Sequence, residues 1–207
     1  MSKKPGNTKT ETPETDTPET ATPTLAAISV VVFKITSLSP LLMNNAASAI
    51  LKPTINAKNK QDAELEAKTY RNQDGELQFP AEAFKRSLVA GSLNKKIGRT
   101  GLKRLLAMGV NTIEDFVTLE HPTTGTPLTT YTCDERTART QEGKLIQTKR
   151  PRIEKWAARV AIEVDGAFVT INHVLDAWNL AGRIVGVGNF RPEKNGKFGR
   201  YTVAVCE

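Results

Sequence analysis

A nearly continuous run of β-branched and apolar residues, Ile28 to Thr36, most constrains the fold of this chain. Such a run is typical of a strand in the middle of a sheet, and we expect this strand to be buried on both faces. Pro40 ends the strand because proline has no backbone N–H to donate to a sheet, and Asn44-Asn45 favours a turn. The fold must therefore be built around an early central strand.

The remaining elements follow in an order that predicts the fold class. Pro80 is suited to the first position of a helix, and apolar residues continue along one face to Leu93 or Ile97. The other expected elements are a helix over 61–70, strands over 111–119, 157–164 and 168–171, a helix capped by Asn172, and a last strand over 201–205. The polar segment 131–147 resembles a long hairpin arm. Without these insertions the order is strand, helix, strand, strand, helix, strand, which predicts an α+β, ferredoxin-like (RRM-like) βαββαβ core with loop and hairpin insertions and a glycine-rich loop before the last strand.

The chain is expected to form a single domain preceded by a tail. Residues 1–24 contain no Val, Ile, Leu, Phe, Trp or Tyr and repeat the sequence Thr-Pro-Glu-Thr. A segment with so little to bury predicts a disordered low-complexity tail, which leaves residues 25–207 as a single ferredoxin-like domain. The tail lacks the apolar region of a signal peptide, and no later window of the sequence has the length of apolar residues needed to span a membrane. The two cysteines, Cys133 and Cys206, show no disulfide or zinc spacing, which favours a reducing cytoplasm and predicts no cofactor.

Positive charge is concentrated in the part of the chain expected to fold. The net charge is +7, and the tail holds three cations against four acids, so the domain itself carries about +8. Between Lys85 and Arg104 the sequence has no Asp or Glu. Seven cations lie in this stretch: Lys85, Arg86, Lys95, Lys96, Arg99, Lys103 and Arg104. Surface helices usually mix charges of both signs, so we favour a surface that faces a polyanion over a merely solvated one.

The segment from Ala181 to Tyr201 carries five glycines and five cations directly before the last strand. Its spacing fits neither a dinucleotide-binding fingerprint nor a P-loop. Bare backbone can approach a ligand closely, and the interspersed cations indicate an anionic one. Phe190, Phe198 and Tyr201 add aromatic faces on which bases can stack. The segment therefore predicts a clamp for a nucleic acid strand, although a solvated hairpin has the same composition.

A ferredoxin-like core with a glycine-rich loop between its second helix and last strand resembles the RAMP superfamily, the repeat-associated proteins that coat or cut guide RNA in CRISPR systems. The residues that carry the resemblance are Gly182, Gly186, Gly188, Gly196, Gly199, Arg191 and Arg200. Residues Gly186 to Pro192 also resemble a Gly-x-Gly-Asn/Asp-Phe-Arg-Pro motif of small solitary proteins of bacteriophage and prophage genomes. The resemblance implies a nucleic acid partner and a solitary phage-encoded member of the superfamily.

The resemblance also raises the question of cleavage, because RAMP endoribonucleases typically use a histidine as general acid or base. The chain has only His121 and His173. His173 follows the expected helix cap, where packing or capping is its expected role, and His121 lies in a turn-rich segment beside Pro122. Acidic pairs such as Glu114/Asp115 fit solvated surfaces and predict no metal site. We therefore expect a protein that is not an enzyme.

The sequence thus predicts a non-enzymatic protein that coats the phosphate backbone of single-stranded DNA or RNA with little sequence specificity and self-associates along the strand. The residues expected to contact nucleic acid are Lys85, Arg86, Lys95, Lys96, Arg99, Lys149, Arg150, Arg152, Lys155, Gly186, Gly188, Phe190, Arg191, Lys194, Lys197, Phe198 and Arg200. Trp156 and Tyr201 are further candidates for stacking. Two alternatives stay open: an endoribonuclease using His121 or His173 with Tyr131 or Lys149, and a structural or protein-interaction component of a phage.

Overall fold

The structure is a computed structural model that describes residues 27–45, 60–139 and 142–206; the predicted tail, residues 1–24, lies outside them. Its strands are β1 (Ile28–Ser37), β2 (Leu41–Leu42), β3 (Gln78–Pro80), β4 (Lys96–Ile97), β5 (Thr100–Gly101), β6 (Val110–Thr112), β7 (Phe116–Glu120), β8 (Thr132–Arg139), β9 (Leu145–Ile153), β10 (Ala157–Asp165) and β11 (Tyr201–Val205). Its helices are α1 (Lys60–Glu66), α2 (Ala81–Gly91), α3 (Leu102–Gly109) and α4 (Ile171–Ile184), with one 3-10 turn at Pro192–Lys194.

The main sheet has the strand order expected of a ferredoxin-like fold. Its path is β11-β1-β10-β7-β3, with β6 also paired to β10, and every pairing is antiparallel. The core units are β1, α2, the strands β6 and β7, β10, α4 and β11, in that chain order. The single strand expected over 111–119 is divided into β6 and β7, which pair separately with β10. This is a split βαβ arrangement in which the first strand lies between the third and the last. The predicted α+β ferredoxin-like class is therefore confirmed.

The central strand β1 is buried on one face only, so the expectation of two buried faces is wrong. Phe33 and Ile35 are fully buried, whereas Ile28 and Val30 are 65% and 62% exposed. Side chains alternate between the two faces of a strand, and α2 and α4 cover only the face that carries Phe33. We call the other face, which includes Lys34 and its cross-strand partner Arg159, the open sheet face.

The core lies between that sheet and the two helices. The ring of Phe33 packs 5.2 Å from that of Trp178 on α4, and Phe84 on α2 contacts both Trp156 and Tyr201. The Tyr201 hydroxyl donates a 2.7 Å hydrogen bond to Ser87 Oγ. Burial therefore explains the aromatic residues on either side of the glycine-rich loop, because each fully buried aromatic side chain contributes on the order of 2 kcal/mol to folding.

The start of α4 differs from the prediction. A strand was expected over 168–171 and a cap at Asn172, but the carbonyl of Asp165 accepts the N–H groups of Phe168 and Val169 in a turn, and the cap is Thr170. The Thr170 hydroxyl accepts the backbone N–H of His173, and His173 Nδ1 accepts that of Thr170. This capping box fixes the helix start two residues earlier than expected.

The basic stretch does not continue as one helix. α2 ends at Gly91, Leu93 adopts a left-handed φ of 47°, and the chain then forms the β4–β5 hairpin around Gly98 before α3 begins. The left-handed Leu93 interrupts helical geometry, so the predicted extension to Leu93 or Ile97 is wrong. We call residues 95–104 the basic finger.

The predicted hairpin arm is present as β8 and β9, which pair from Thr132↔Arg152 to Arg139↔Leu145. β2 joins the other side of β9 in a second, three-stranded sheet. The predicted helix over 61–70 is the shorter α1. Among the described helices, none has both the length and the apolar composition needed to cross a membrane.

Candidate nucleic-acid interface

The basic finger presents five exposed cations that have no carboxylate within ion-pair distance in the described part of the chain. They are Lys95, Lys96, Arg99, Lys103 and Arg104. The finger protrudes because Gly98, at φ 58°, makes the tight turn of the hairpin. Nothing in the described residues neutralises this surface, so it retains its full attraction for an anion.

The two predicted cations on α2 differ from those of the finger. Lys85 is half-buried and its Nζ donates a 3.0 Å hydrogen bond to Asn111 Oδ1 at the edge of the sheet. Arg86 is exposed and pairs with Glu82 one turn earlier at 3.3 Å. Exposed pairs of this kind contribute little to stability, so Arg86 can exchange its partner.

Three glycines of the glycine-rich loop are required by contacts within this chain. A Cβ added at Gly196 would lie 1.7 Å from the Phe190 carbonyl oxygen, one at Gly199 1.8 Å from that of Val187, and one at Gly182 2.1 Å from that of Tyr201. Gly196 and Gly199 therefore let the loop fold on itself, and Gly182, which lies in α4, lets that helix pack against the start of β11. Contacts within the chain account for these three glycines, and a role in ligand approach stays a prediction. Sequence spacing alone does not separate these two causes.

Gly186 and Gly188 are also close to other backbone: a Cβ added at Gly188 would lie 2.6 Å from the Leu42 carbonyl oxygen, and one at Gly186 2.9 Å from that of Gly199. Both have a left-handed φ, of 70° and 74°, and both line a cavity of about 580 Å³ between the loop and α2. Glu82, Arg86 and Arg191 also line this cavity. The structure thus brings together the predicted residues of α2 and of the loop around one opening.

Arg191 is held in place by neighbours in the loop. Its Nη2 lies 2.5 Å from Glu193 Oε2, and its Nη1 donates a 3.2 Å hydrogen bond to the carbonyl oxygen of Gly188. Its positive charge is therefore partly neutralised before any ligand arrives. Arg200 is exposed, and its backbone is tied to Ser39, whose hydroxyl accepts the Arg200 N–H at 2.9 Å.

The prediction that Phe198, Tyr201 and Trp156 offer stacking faces is wrong. Phe198 is 2% exposed, and Tyr201 and Trp156 are fully buried. Trp156 and Tyr201 belong to the core, and Phe198 is covered by arginines of the β8–β9 hairpin. Phe190, which has a left-handed φ of 50°, is half-buried and is the one predicted stacking residue that keeps some exposure among those described.

The hairpin and the glycine-rich loop meet through stacked arginines and phenylalanines, which we call the Arg–Phe cluster. The Arg136 guanidinium lies 4.9 Å from the ring centroid of Phe190 and 4.6 Å from that of Phe198. Arg150 lies 5.0 Å from the Phe190 centroid, and Arg152 5.8 Å from that of Phe198. These distances are in the range of cation–π attraction. The predicted residues Arg150, Arg152, Phe190 and Phe198 are thus brought together.

Arg136 and Asp134 complete the cluster and were absent from the predicted site. Arg136 donates to both carboxylate oxygens of Asp134, at 2.5 and 2.6 Å, and Asp134 is 7% exposed. This hydrogen bonding holds the pKa of Asp134 below its usual value and raises that of Arg136. Period-two alternation along β8 could have placed Asp134 and Arg136 on one face, but only the register with β9 opposes Asp134 to Arg150.

The remaining predicted cations lie outside the cluster or at its rim. Lys149 is on the other face of the hairpin, paired with Glu135 at 2.6 Å. Lys194 is exposed in the 3-10 turn, and Lys197 Nζ lies 5.9 Å from the Phe198 centroid. Lys155 lines a separate cavity of about 320 Å³. The predicted set is therefore divided among several surfaces.

That second cavity also contains His121 and Tyr131. The Tyr131 hydroxyl donates a 2.7 Å hydrogen bond to Glu66 Oε2, and burial together with this bond raises the pKa of Tyr131. The other histidine, His173, is occupied by the capping box at the start of α4. Within residues 27–45, 60–139 and 142–206, no cluster of three His, Cys, Asp or Glu side chains has the geometry to hold a metal.

Comparison with known proteins finds a likeness among solved structures only. No family model and no curated protein matches the chain. Among solved structures, Cmr6 from Pyrococcus furiosus is similar over 85% of this chain and 98% of its own, with 12% sequence identity and a TM-score of 0.45. The ferredoxin-like assignment rests on the strand order described above, and the resemblance of the glycine-rich loop to a solitary phage-encoded RAMP protein stays a prediction.

Proposed function

We propose that the protein binds single-stranded nucleic acid, DNA or RNA, through its phosphates and does not cleave it. The observation that carries this proposal is the basic finger, whose five exposed cations have no carboxylate partner in the described residues. Mutual repulsion of these charges opposes folding slightly, and a polyanion removes that repulsion on binding. Release of counterions from the bound strand then supplies most of the affinity.

The position of the finger gives the strand a path. The cavity at the glycine-rich loop runs along α2 from Pro80 to Ala90, and α2 ends at Gly91, shortly before the finger; the eleven residues of α2 span about 16 Å at a rise of 1.5 Å per residue. A few nucleotides of single strand cover that distance. Arg86, on the exposed face of α2, lies along this path.

The aromatic residues argue for low sequence specificity. Phe198, Tyr201 and Trp156 are buried, so few rings are left to stack on bases, and contacts to phosphates carry no sequence information. Coating of the strand by several copies of the protein is a further part of the proposal, which sedimentation with oligonucleotides of increasing length tests.

The test is fluorescence anisotropy with single-stranded DNA, single-stranded RNA and duplex of equal length. Reversing two finger charges (Lys95→Glu with Lys96→Glu) is expected to weaken binding to every sequence alike. The matched control reverses two charges on the open sheet face, Lys34→Glu with Arg159→Glu. Loss of binding in the control alone would place the strand on the sheet and contradict the proposal, and absence of binding by the unaltered protein at low salt would favour a structural or protein-interaction role.

An endoribonuclease is the second candidate, because His121 and Tyr131 line the same cavity as Lys155. Tyr131 would donate a hydrogen bond to the substrate while His121 acts as base. Incubation of labelled RNA with the protein in EDTA distinguishes the candidates. Metal-independent cleavage that His121→Ala abolishes would overturn the non-enzymatic proposal.

A further inference from the structure

Arg150 is a half-buried guanidinium without an acidic partner in the described part of the molecule. Its Nη1 donates a 2.6 Å hydrogen bond to Thr148 Oγ1, and its side chain lies over Phe190. Its Nε is buried and has no hydrogen-bond partner among the described atoms. A donor in this state is costly to leave unpaired, so Arg150 has unused capacity for an acceptor.

The surrounding carboxylates are already engaged by other arginines. Asp134 receives both donors of Arg136 and lies 3.8 Å from Arg152, and Arg152 pairs with Glu154 at 2.8 Å. Lys197, at the rim of the Arg–Phe cluster, also has no carboxylate within ion-pair distance among the described residues. At the junction of the hairpin and the glycine-rich loop there are therefore four cations and two carboxylates. The cations are Arg136, Arg150, Arg152 and Lys197, and the carboxylates are Asp134 and Glu154.

The charge of Arg150 is held there at an energetic cost. Burial lowers the pKa of Arg150, the neighbouring charge of Arg136 lowers it further, and Asp134 on the opposite strand offsets only part of this effect. A residue that served only to brace the hairpin against the loop would gain from a carboxylate partner, as Arg136 does. Positions kept at a cost to stability are characteristic of binding residues.

We propose that Arg150 is the centre of a subsite for one phosphate group at the junction of the hairpin and the glycine-rich loop. The guanidinium keeps donors for phosphate oxygens beyond the one that Nη1 gives to Thr148, and it lies 5.0 Å from the ring centroid of Phe190. The excess of two positive charges in the cluster is suited to a phosphate, whether it is a phosphodiester within a strand, a terminal phosphate or free inorganic phosphate. The strand as a source rests on the function proposed above.

The first experiment compares melting temperatures of the full chain and its Arg150→Gln variant at constant ionic strength, with and without inorganic phosphate. Without phosphate, the variant is expected to melt at the same temperature as the unaltered protein or higher. Phosphate should raise the melting temperature of the unaltered protein and leave that of the variant unchanged, because only the former binds it. A variant that melts lower in the absence of phosphate, together with a phosphate effect that survives the substitution, would show that Arg150 is a structural brace and overturn the subsite.

The second experiment measures binding of single-stranded oligonucleotides by anisotropy. Arg150→Gln should weaken binding about tenfold or more, the expected loss for a charge-assisted contact, and Arg150→Lys should lie between, since it keeps the charge but loses the fork. Arg159→Gln is the control: Arg159 lies on the open sheet face and pairs with Glu120 at 3.5 Å, away from the cluster, so its loss should change affinity little. Equal affinity of folded Arg150→Gln and unaltered protein would contradict the subsite.

Comparing phosphorylated with unphosphorylated strands distinguishes the possible sources of the phosphate. Comparing the finger variant with Arg150→Gln distinguishes failure of the subsite from failure of the proposed function. An advantage of 5′-phosphorylated over unphosphorylated strands that disappears in Arg150→Gln supports a terminal phosphate, and equal loss for both supports an internal one. If the finger variant loses binding while Arg150→Gln retains it, the subsite is wrong and the proposed function stands. If no oligonucleotide binds but phosphate still raises the melting temperature through Arg150, the proposed function is wrong and the subsite stands.

Discussion

The guanidinium of Arg136 lies 4.6 Å from the ring centroid of Phe198, and the ring is buried by this contact. Arg136 belongs to the β8–β9 hairpin and Phe198 to the glycine-rich loop, which are about sixty residues apart in sequence. The pair thus joins the two insertions that carry most of the candidate interface outside the basic finger. The interaction free energy of this contact contributes to holding the glycine-rich loop against the β8–β9 hairpin.

A double-mutant cycle of Arg136→Met and Phe198→Leu should reveal that energy. Both substitutions keep apolar bulk and remove the cation–π contact, so we expect a coupling energy of about 0.5–2 kcal/mol in urea unfolding. Loss of the bond from Arg136 to Asp134 occurs in both steps that replace Arg136, with and without Phe198, and therefore cancels in the cycle. Strictly additive effects would mean that the contact contributes nothing to stability.

Asp134 should make stability depend on pH. Its pKa is lowered in the folded protein, chiefly by the hydrogen bonds from Arg136, so its contribution is present above the unfolded pKa of about 3.9 and is lost as pH falls through the folded value. Asp134→Asn is therefore expected to lower the free energy of unfolding by about 1–3 kcal/mol at pH 7. Urea unfolding of both proteins should show this difference shrinking below about pH 4. A difference that is the same at pH 3 and pH 7 would contradict it.

Gly196 should tolerate no side chain. A Cβ there would meet the Phe190 carbonyl oxygen at 1.7 Å, so Gly196→Ala requires movement of the loop backbone and should lower the melting temperature by several degrees or prevent loop closure. Gly101→Ala is the matched control, because nothing lies within 4 Å of its Cβ position. Equal melting temperatures of the two variants would show that the loop does not need its tight turn.

The capping box at the start of α4 should contribute to stability alone. Thr170→Ala removes the acceptor for the His173 N–H and is expected to cost about 1 kcal/mol in chemical denaturation. Affinity for nucleic acid and any RNA cleavage should be unchanged in the folded variant. A change in either would give His173 a functional role that its capping geometry does not suggest.

The sequence predicted correctly those strands whose bounds are set by a local pattern of residues. The last strand has the predicted bounds, Tyr201–Val205, and the predicted strand over 157–164 is β10 with one residue more. Both runs are rich in β-branched residues. The order of all the predicted strands and helices specifies the ferredoxin-like class. The exposed face of β1 was missed because a continuous apolar run does not reveal that helices cover only one side of the sheet.

The Arg–Phe cluster could not be predicted because it depends on contacts between distant segments. Only the β8–β9 register sets Asp134 opposite Arg150, and only the packing of the hairpin on the loop buries Phe198. Composition marked the basic finger correctly as a charged surface. Whether its cations have carboxylate partners depends on where the described acidic residues lie in three dimensions, which composition does not give.

The salt dependence of binding by the basic finger tests the central claim most directly. Log affinity for a single-stranded oligonucleotide is plotted against log salt concentration for the unaltered protein and for the neutralising variant Lys95→Gln with Lys96→Gln. Each lost phosphate contact should reduce the steepness of the slope by about 0.7, so the account predicts a reduction of about 1.4 with no change in melting temperature. Slopes of equal steepness in the two proteins would show that the finger does not contact the strand and would contradict the account.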